Sequence, residues 1–113
     1  MSKVLAAFAA ANDRCWLCQS PGDWRGLQVH HVARGCHRGK AREELCCLIR
    51  TCAGCHENLL DSMPVSRQLA LVLIHNPLGY SRVRVNELRG RAPDSISEQD
   101  VAVEVARLWR DRR

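Results

Sequence analysis

The sequence predicts a small α+β domain that is held together by one structural zinc ion. The chain has 113 residues and only five aromatic side chains other than histidine, so its core needs an additional cross-link. Seven cysteines are present, and four of them form two Cys-x-x-Cys pairs. Short helical and strand-like hydrophobic patterns occupy the rest of the chain.

The length of the chain limits both the number of domains and the class of protein. We expect a core at residues 1–62, which contains both cysteine pairs, and a helical extension at residues 63–113. A doubly wound cofactor-binding enzyme is excluded by size. The size excludes a transmembrane transporter as well. We expect no membrane partner, since no run approaches the roughly 18 apolar residues of a spanning helix. We therefore expect a cytoplasmic protein, in which thiols bind metal more often than they form disulfides.

The first residues predict a helix that packs on the zinc-bound core. Leu5, Phe8 and Ala9 have the spacing of one helical face, and Asn12 and Asp13 mark its end. A cation followed by an apolar run also resembles a short secretory signal. That interpretation is disfavoured because the run is shorter than the roughly 15–30 residues such signals need.

The middle of the chain predicts two strands separated by a basic loop. Residues 27–32 form a short β-branched run typical of a strand. Residues 33–42 are polar, basic and interrupted by glycine, which indicates a loop. Apolar residues return at 43–50, either as a second strand or as a turn into the second cysteine pair. Residues 56–62 then continue as a helix.

The C-terminal half predicts two amphipathic helices. Ser66 precedes a helical pattern over residues 67–75 and is expected to cap it. Ser97 and Asp100 resemble a capping box that opens the last helix. The apolar face of that last helix is predicted to be Val101, Val105, Leu108 and Trp109.

The segment between these helices, residues 79–91, is harder to interpret. Val83 and Val85 alternate with Arg82 and Arg84, as in a short charged strand or loop, whereas residues 86–88 could form a helical turn. Nothing in this segment has the pattern of a base-reading motif.

The strongest chemical signal is Cys15-x-x-Cys18 followed by Cys52-x-x-Cys55. Two such knuckles present four thiolates, the usual ligand set of a structural Zn²⁺ ion. The 33 residues between the pairs make a longer loop than that of a simple zinc ribbon, and no thioredoxin-like βαβ pattern surrounds either pair. Zinc binding would then supply folding free energy that the small core lacks. The remaining cysteines fit no standard metal site and are expected to be buried as small apolar residues: Cys36, Cys46 and Cys47.

Positive charge is concentrated around these motifs. The chain has 17 Lys and Arg against 12 Asp and Glu, a net charge of +5, and residues 14–50 alone have seven cations and three acids, a net +4. Codon bias would also enrich arginine, but it would not place the charge here. Because arginine suits bidentate phosphate contact, this placement favours a partner that carries phosphate groups. The candidate phosphate-contacting residues, which bind DNA if the partner is a nucleic acid, are Arg34, Arg38, Lys40 and Arg50.

Three histidines accompany the cysteines. His30 and His31 lie at the end of the first predicted strand and are expected to point to opposite faces, and His56 directly follows the second pair. Two imidazoles can hold a divalent cation while a third accepts a proton from water, which suits hydrolysis of a phosphodiester. The plainer alternative keeps His56 as a group packed beside the zinc and His30 and His31 as surface residues.

Together these motifs resemble the zinc-stapled HNH endonucleases that are common among phage and prophage proteins. The matching stretch covers residues 15–58 and reads CWLC, VHHVAR and CAGCH in order. The resemblance implies a ββα-metal (His-Me finger) fold that cuts or nicks DNA, with phage packaging or recombination proteins as further partners. It implies that His30 and His56 hold a catalytic cation, Mg²⁺ or another, that His31 is the general base, and that Arg34 contacts phosphate.

Two departures from the family pattern leave alternatives open. Cys47 stands where the family has an Asn that braces the loop carrying the general base, and a thiol is a poor substitute. Either Glu43 or Glu44 holds that loop, or activity is reduced or lost. Leu60 replaces a further family histidine. The alternatives are a non-catalytic zinc-stapled DNA-binding module, and an adaptor that binds proteins through residues 63–113.

Overall fold

A computed structural model of the chain describes residues 2–32 and 43–111. The predicted loop at 33–42, with Arg34, Cys36, Arg38 and Lys40, lies outside the described residues. In the described ranges the chain forms one two-stranded antiparallel sheet and five α-helices, which confirms the α+β class. None of these helices has the length and apolar character needed to cross a bilayer.

The elements follow one another in a simple order. The helices are α1 (Lys3–Ala11), α2 (Ala53–Asn58), α3 (Val65–His75), α4 (Arg82–Leu88) and α5 (Glu98–Asp111), and the strands are β1 (Leu27–His31) and β2 (Leu48–Cys52). Short 3₁₀ turns lie at Leu45–Cys47 and Leu60–Ser62.

The sheet positions one histidine inside the molecule. β1 and β2 pair so that His30 lies opposite Ile49 and His31 lies opposite Leu48. Along β1 the inward position, His30, is buried and the next residue is only partly buried, as the alternation of a strand predicts. β2 leads directly into α2, since Cys52 is both the last residue of β2 and the N-cap of α2. The Cys52 Sγ accepts the Cys55 N–H at 3.4 Å.

α1 forms where the sequence predicts it and packs against the first cysteine knuckle. The Ser2 hydroxyl accepts the Leu5 N–H and caps the helix, and Leu5 and Phe8 are buried. The Phe8 ring meets the Trp16 indole edge-on, with ring centroids 5.7 Å apart. The other neighbour of Trp16 is His75 at the end of α3, stacked at 5.0 Å. Trp16 therefore ties both helices to the knuckle.

α3 and α5 pack against each other as the two longest helices of the structure. α3 begins earlier than predicted, because Pro64 and not Ser66 occupies its N-cap. α5 begins at the predicted capping box, in which Ser97 and Asp100 exchange hydrogen bonds of 2.9 and 3.1 Å. Trp109 is 55% exposed, so its predicted place on the buried face is wrong. It lies about 80° around the helix from Val101, at the edge of the apolar stripe.

The prediction of a strand or loop around Val83 and Val85 is also wrong, since both lie in α4. The helical turn predicted at residues 86–88 is confirmed as the end of this helix. The Ser81 hydroxyl accepts the Arg84 N–H and caps this helix. Val85 and Leu88, three residues apart, are buried on one face, whereas Val83 is exposed. Val83 and Val85 differ in burial because they lie on different sides of a helix, and not because their side chains alternate across a pleated strand.

The hydrophobic core draws on both predicted segments of the chain. Leu48 and Ile49 from β2 pack in one buried cluster with Leu69 of α3, Val85 of α4 and Val101 of α5. The division between residues 1–62 and 63–113 stays a prediction.

Candidate metal centre and histidine cluster

The structure brings the four predicted cysteine ligands together. The Sγ atoms of Cys15, Cys18, Cys52 and Cys55 all lie within 4.8 Å of one another, and those of Cys18 and Cys52 are 3.8 Å apart. A tetrahedral ion with Zn–S bonds of about 2.3 Å needs sulfur atoms about 3.8 Å apart. The cluster could therefore hold a metal ion such as zinc.

Backbone N–H groups donate hydrogen bonds to the sulfur atoms of two of these cysteines. The Leu17 N–H donates to the Cys15 Sγ at 3.4 Å, in the same way as Cys55 donates to Cys52 in the second knuckle. Burial alone would raise the pKa of Cys15, but hydrogen bonds from Cys18, Cys52 and Leu17 outweigh it and lower this pKa to about 6. Burial, followed by the neighbouring thiols, raises the pKa of Cys55. Coordination of a metal deprotonates such a thiol.

Hydrogen bonds within the protein hold the first knuckle against β2. The Trp16 N–H donates to the Arg50 carbonyl at 3.0 Å, and the Arg50 Nε donates to the Asn12 carbonyl at 2.9 Å. The Trp16 indole N–H also donates to the Asn12 side chain at 3.1 Å. Burial of Arg50 lowers its pKa. Arg50 thus links α1, the knuckle and β2, and its predicted contact with DNA stays a prediction.

Two of the three candidate histidines meet in space. His30, which is 3% exposed, has its ring centroid 5.1 Å from that of His56, with the ring planes at 63°. This follows from local structure, since β1 turns His30 inward and α2 begins at the second knuckle, which places His56 in the helix facing β1. His31, the next residue of β1, is partly buried.

The histidine pair offers two protein ligands to a cation. Within residues 2–32 and 43–111, the cysteine cluster is the one group of three or more His, Cys, Asp or Glu side chains that could hold a metal. Leu60, at the position of the further family histidine, is fully buried in the core. Water and substrate would therefore have to complete the coordination of a cation on His30 and His56.

Sequence reasoning missed Gln68 of α3, which contacts this pair. The Gln68 Oε1 lies 2.8 Å from the His30 Nε2, and the Gln68 Nε2 donates to the Met63 carbonyl, also at 2.8 Å. A carbonyl can only accept, so the amide nitrogen must face Met63 and the amide oxygen must face His30. The proton of a neutral His30 ring is therefore on Nε2, and its lone pair is on Nδ1.

A signal for Gln68 was present in the sequence. Gln68 lies four residues before the apolar Val72, on the same face of the predicted helix, and it is 4% exposed. A long polar side chain at such a position needs a buried partner.

The region around Cys47 is held by other means than a side-chain amide. Cys47 is fully buried, and its carbonyl accepts the N–H of Val32, the residue after His31, at 2.8 Å. Of the two predicted substitutes for the Asn, Glu44 forms an ion pair with Arg84 of α4 at 2.7 Å. Cys46 is also buried, which confirms the prediction for both cysteines.

Comparison of this chain with protein-family models, with curated proteins and with solved structures gives no match. The likeness to HNH endonucleases therefore rests on the motif residues of this chain.

Proposed function

We propose that this protein is a metal-dependent DNA endonuclease with a ββα-metal core. The observation that carries this proposal is the 5.1 Å approach of the His30 and His56 rings, one from β1 and the other from α2. The antiparallel pair β1 and β2 leads without a break into α2, in the order that a ββα unit requires. The net charge of +5 favours a polyanionic substrate.

We also infer that the four-cysteine cluster holds a structural Zn²⁺ ion. The cluster lies beside α2, on the same segment that carries His56. Its function is to hold the two ends of the basic segment together, so that the histidines of β1 face α2.

Each histidine has a proposed role. His30, through Nδ1, and His56 would hold a divalent cation, which when bound stabilises negative charge on the phosphate and on the leaving oxygen. His31 would accept the proton of the attacking water. Gln68 fixes the ring orientation and the tautomer of His30.

The ligands also bear on the choice of cation. Mg²⁺ prefers oxygen ligands, whereas imidazole suits transition ions such as Ni²⁺. With His30 and His56 as its protein ligands, the proposed site should work with Ni²⁺ at lower concentration than with Mg²⁺.

Nicking of supercoiled plasmid tests this proposal directly. Zinc-loaded protein is incubated with Mg²⁺, Mn²⁺ or Ni²⁺, and the parent is compared with His31→Ala. We expect His31→Ala to lower the rate by about 100-fold or more, the usual contribution of a general base. His75→Phe removes an imidazole outside the cluster and keeps a ring against Trp16, so it is the control and should retain the parental rate.

The other outcomes are equally informative. Nicking by the parent at the His31→Ala level with all three cations would refute the proposal. A mobility shift without cleavage would support the DNA-binding module that lost catalysis with Cys47. If the protein neither binds nor cleaves DNA, the protein-interaction adaptor is the interpretation that is left.

A further inference from the structure

A cleft of about 340 Å³ lies next to the histidine cluster and extends to the C-terminal half of the chain. One of its lining residues is Gln68, which contacts His30, and another is Val32, which follows His31 along the chain. Arg89 and Arg91 line the same cleft. The cleft thus connects the proposed catalytic histidines with two arginines that are not part of the HNH-like motif.

The turn after α4 holds these two arginines in place. Arg89 is the C-cap of α4, and Gly90 follows it with a φ of 70°. The Gly90 N–H donates to the Glu87 carbonyl and the Arg91 N–H donates to the Asn86 carbonyl, each at 2.9 Å. These two bonds form a Schellman motif, which fixes the backbone on both sides of the glycine.

Most other arginines of α3, α4 and α5 have acidic partners. Arg67 and Arg107 pair with Glu104, Arg82 with Asp94, and Arg84 with Glu44. By contrast, neither Arg89 nor Arg91 forms an ion pair or a side-chain hydrogen bond with any residue in the described ranges. Their donors are available to a ligand.

Burial also disfavours the charge of Arg89. Burial, followed by the charge of Arg91, lowers the pKa of Arg89, so both effects act against its charged form. Among the described residues that line the cleft, Arg89 and Arg91 are cations and Asp61 is a carboxylate. An anion in the cleft would offset both the burial of Arg89 and the repulsion between the two guanidinium groups.

We propose that Arg89 and Arg91 bind a backbone phosphate of the DNA strand whose scissile phosphate lies at His30 and His56. This inference rests on the proposed function. Two guanidinium groups present the planar pairs of N–H donors that match phosphate oxygens. Because Gln68 belongs both to the cleft and to the surroundings of His30, the two phosphates would lie on one continuous stretch of substrate.

Salt-dependent DNA binding tests the inference separately from cleavage. A short fluorescent duplex is titrated with zinc-loaded protein in the His31→Ala background, without added divalent cation, over a series of NaCl concentrations. Arg89→Gln/Arg91→Gln should weaken binding at least 10-fold. It should also reduce the slope of log K against log salt by about 0.9, the value for one lost phosphate contact.

Two further double variants make this result specific. Lys3→Gln/Arg110→Gln removes the same charge from exposed positions outside the cleft and should change the slope much less. Arg89→Lys/Arg91→Lys retains both charges and should restore most of the slope. If the first double variant does not fold, the exposed Arg91→Gln alone should weaken binding and reduce the slope by less than about 0.9, because Arg89 still contacts the phosphate.

The possible outcomes separate this inference from the nuclease proposal. A parent that nicks plasmid, with an unchanged slope in the Arg89/Arg91 variant, overturns the inference and leaves the nuclease. A reduced slope with no nicking by the parent supports the phosphate site and refutes the nuclease. Equal losses in both Gln double variants, or no DNA binding by the His31→Ala protein, also overturn the inference.

Discussion

Gln68 is the residue through which α3 acts on the histidine pair. Its amide is held at both ends, by the Met63 carbonyl and by His30 Nε2, so the imidazole cannot exchange its tautomer without losing a buried hydrogen bond. Partners of this kind orient metal-binding histidines and raise their basicity. A role of Gln68 in positioning His30 can therefore be separated from a role in folding alone.

Replacing Gln68 should weaken the binding of the cation. Gln68→Leu leaves the buried His30 Nε2 without this acceptor, so we expect Ni²⁺ affinity to fall by about 10–100-fold and stability to fall by about 1–3 kcal/mol. Gln68→Glu retains an acceptor for His30 and should keep most of the affinity. Calorimetric titration of zinc-loaded protein with Ni²⁺ and thermal unfolding measure the two effects.

A matched glutamine is available as the control. Gln28 is exposed on β1, so Gln28→Leu should change neither quantity. If Gln68→Leu lowers stability but leaves Ni²⁺ affinity unchanged, Gln68 has a structural role and does not position the ligand.

The contrast between His30 and Gln68 shows what the sequence can predict at this scale. The inward orientation of His30 follows from strand alternation, and the cysteine ligands follow from two short spacings. The contact between His30 and Gln68 joins residues 38 positions apart and depends on how α3 packs against β2. The same is true of Arg89 and Arg91, whose proximity to β1 is a property of the packed molecule.

At the level of elements, a polar network in α4 controls the connection to α5. The fully buried Asn86 donates to the carbonyls of Pro93 and Ile96 and accepts the Ile96 N–H. The Arg82 guanidinium donates to the same two carbonyls, at 2.7 and 2.8 Å. The loop is thereby fixed immediately before the capping box at Ser97, which determines where α5 begins.

Removing Asn86 should therefore destabilise the whole protein. Asn86→Ala leaves the partly buried Ile96 N–H without this acceptor and removes two donors from the loop carbonyls, and we expect a loss of about 2 kcal/mol in the free energy of unfolding. Asn58→Ala, at an exposed asparagine of α2, should stay within about 0.5 kcal/mol of the parent. Chemical denaturation measures both, and equal effects for the two variants would contradict this role of Asn86.

The difference between α4 and α5 shows why the prediction failed for the first turn of α4 and succeeded for α5. The capping box of α5 is a local signal, complete within Ser97–Asp100, and it can be recognised in the sequence. α4 has only seven residues, and its burial depends on Val85 and Leu88 packing in a core assembled from distant segments. With so few residues, alternating valines indicate a strand as readily as a helix.

On the scale of the whole molecule, the cysteine cluster joins two segments of the chain that are separated by 33 residues. The buried indole of Trp16, at 3% exposure, lies between the two ligands of the first knuckle and contacts both α1 and α3. Its main-chain N–H reaches β2. A metal ion that holds the knuckles together would thus stabilise the N-terminal helix, the sheet and α3 at once.

We therefore expect one zinc ion per chain and the loss of cooperative folding when it is removed. Structural zinc contributes roughly 10–16 kcal/mol of apparent binding free energy in zinc-finger peptides, comparable to the roughly 5–15 kcal/mol stability of an ordinary domain. Cys18 is exposed, so Cys18→Ser removes a ligand with little change in packing. Cys46→Ala alters a buried cysteine outside the cluster and should retain the zinc.

Native mass spectrometry measures the stoichiometry, and tryptophan emission reports the fold. Trp24 is 91% exposed, so a background with Trp24→Phe and Trp109→Phe leaves the buried Trp16 as the probe. In that background, chelation or Cys18→Ser should shift the emission to longer wavelength, because Trp16 becomes hydrated when α1 and α3 separate from the knuckle. A stoichiometry near zero in the parent, or a metal-free protein that keeps the short-wavelength emission, would show that the core of this chain folds without the ion.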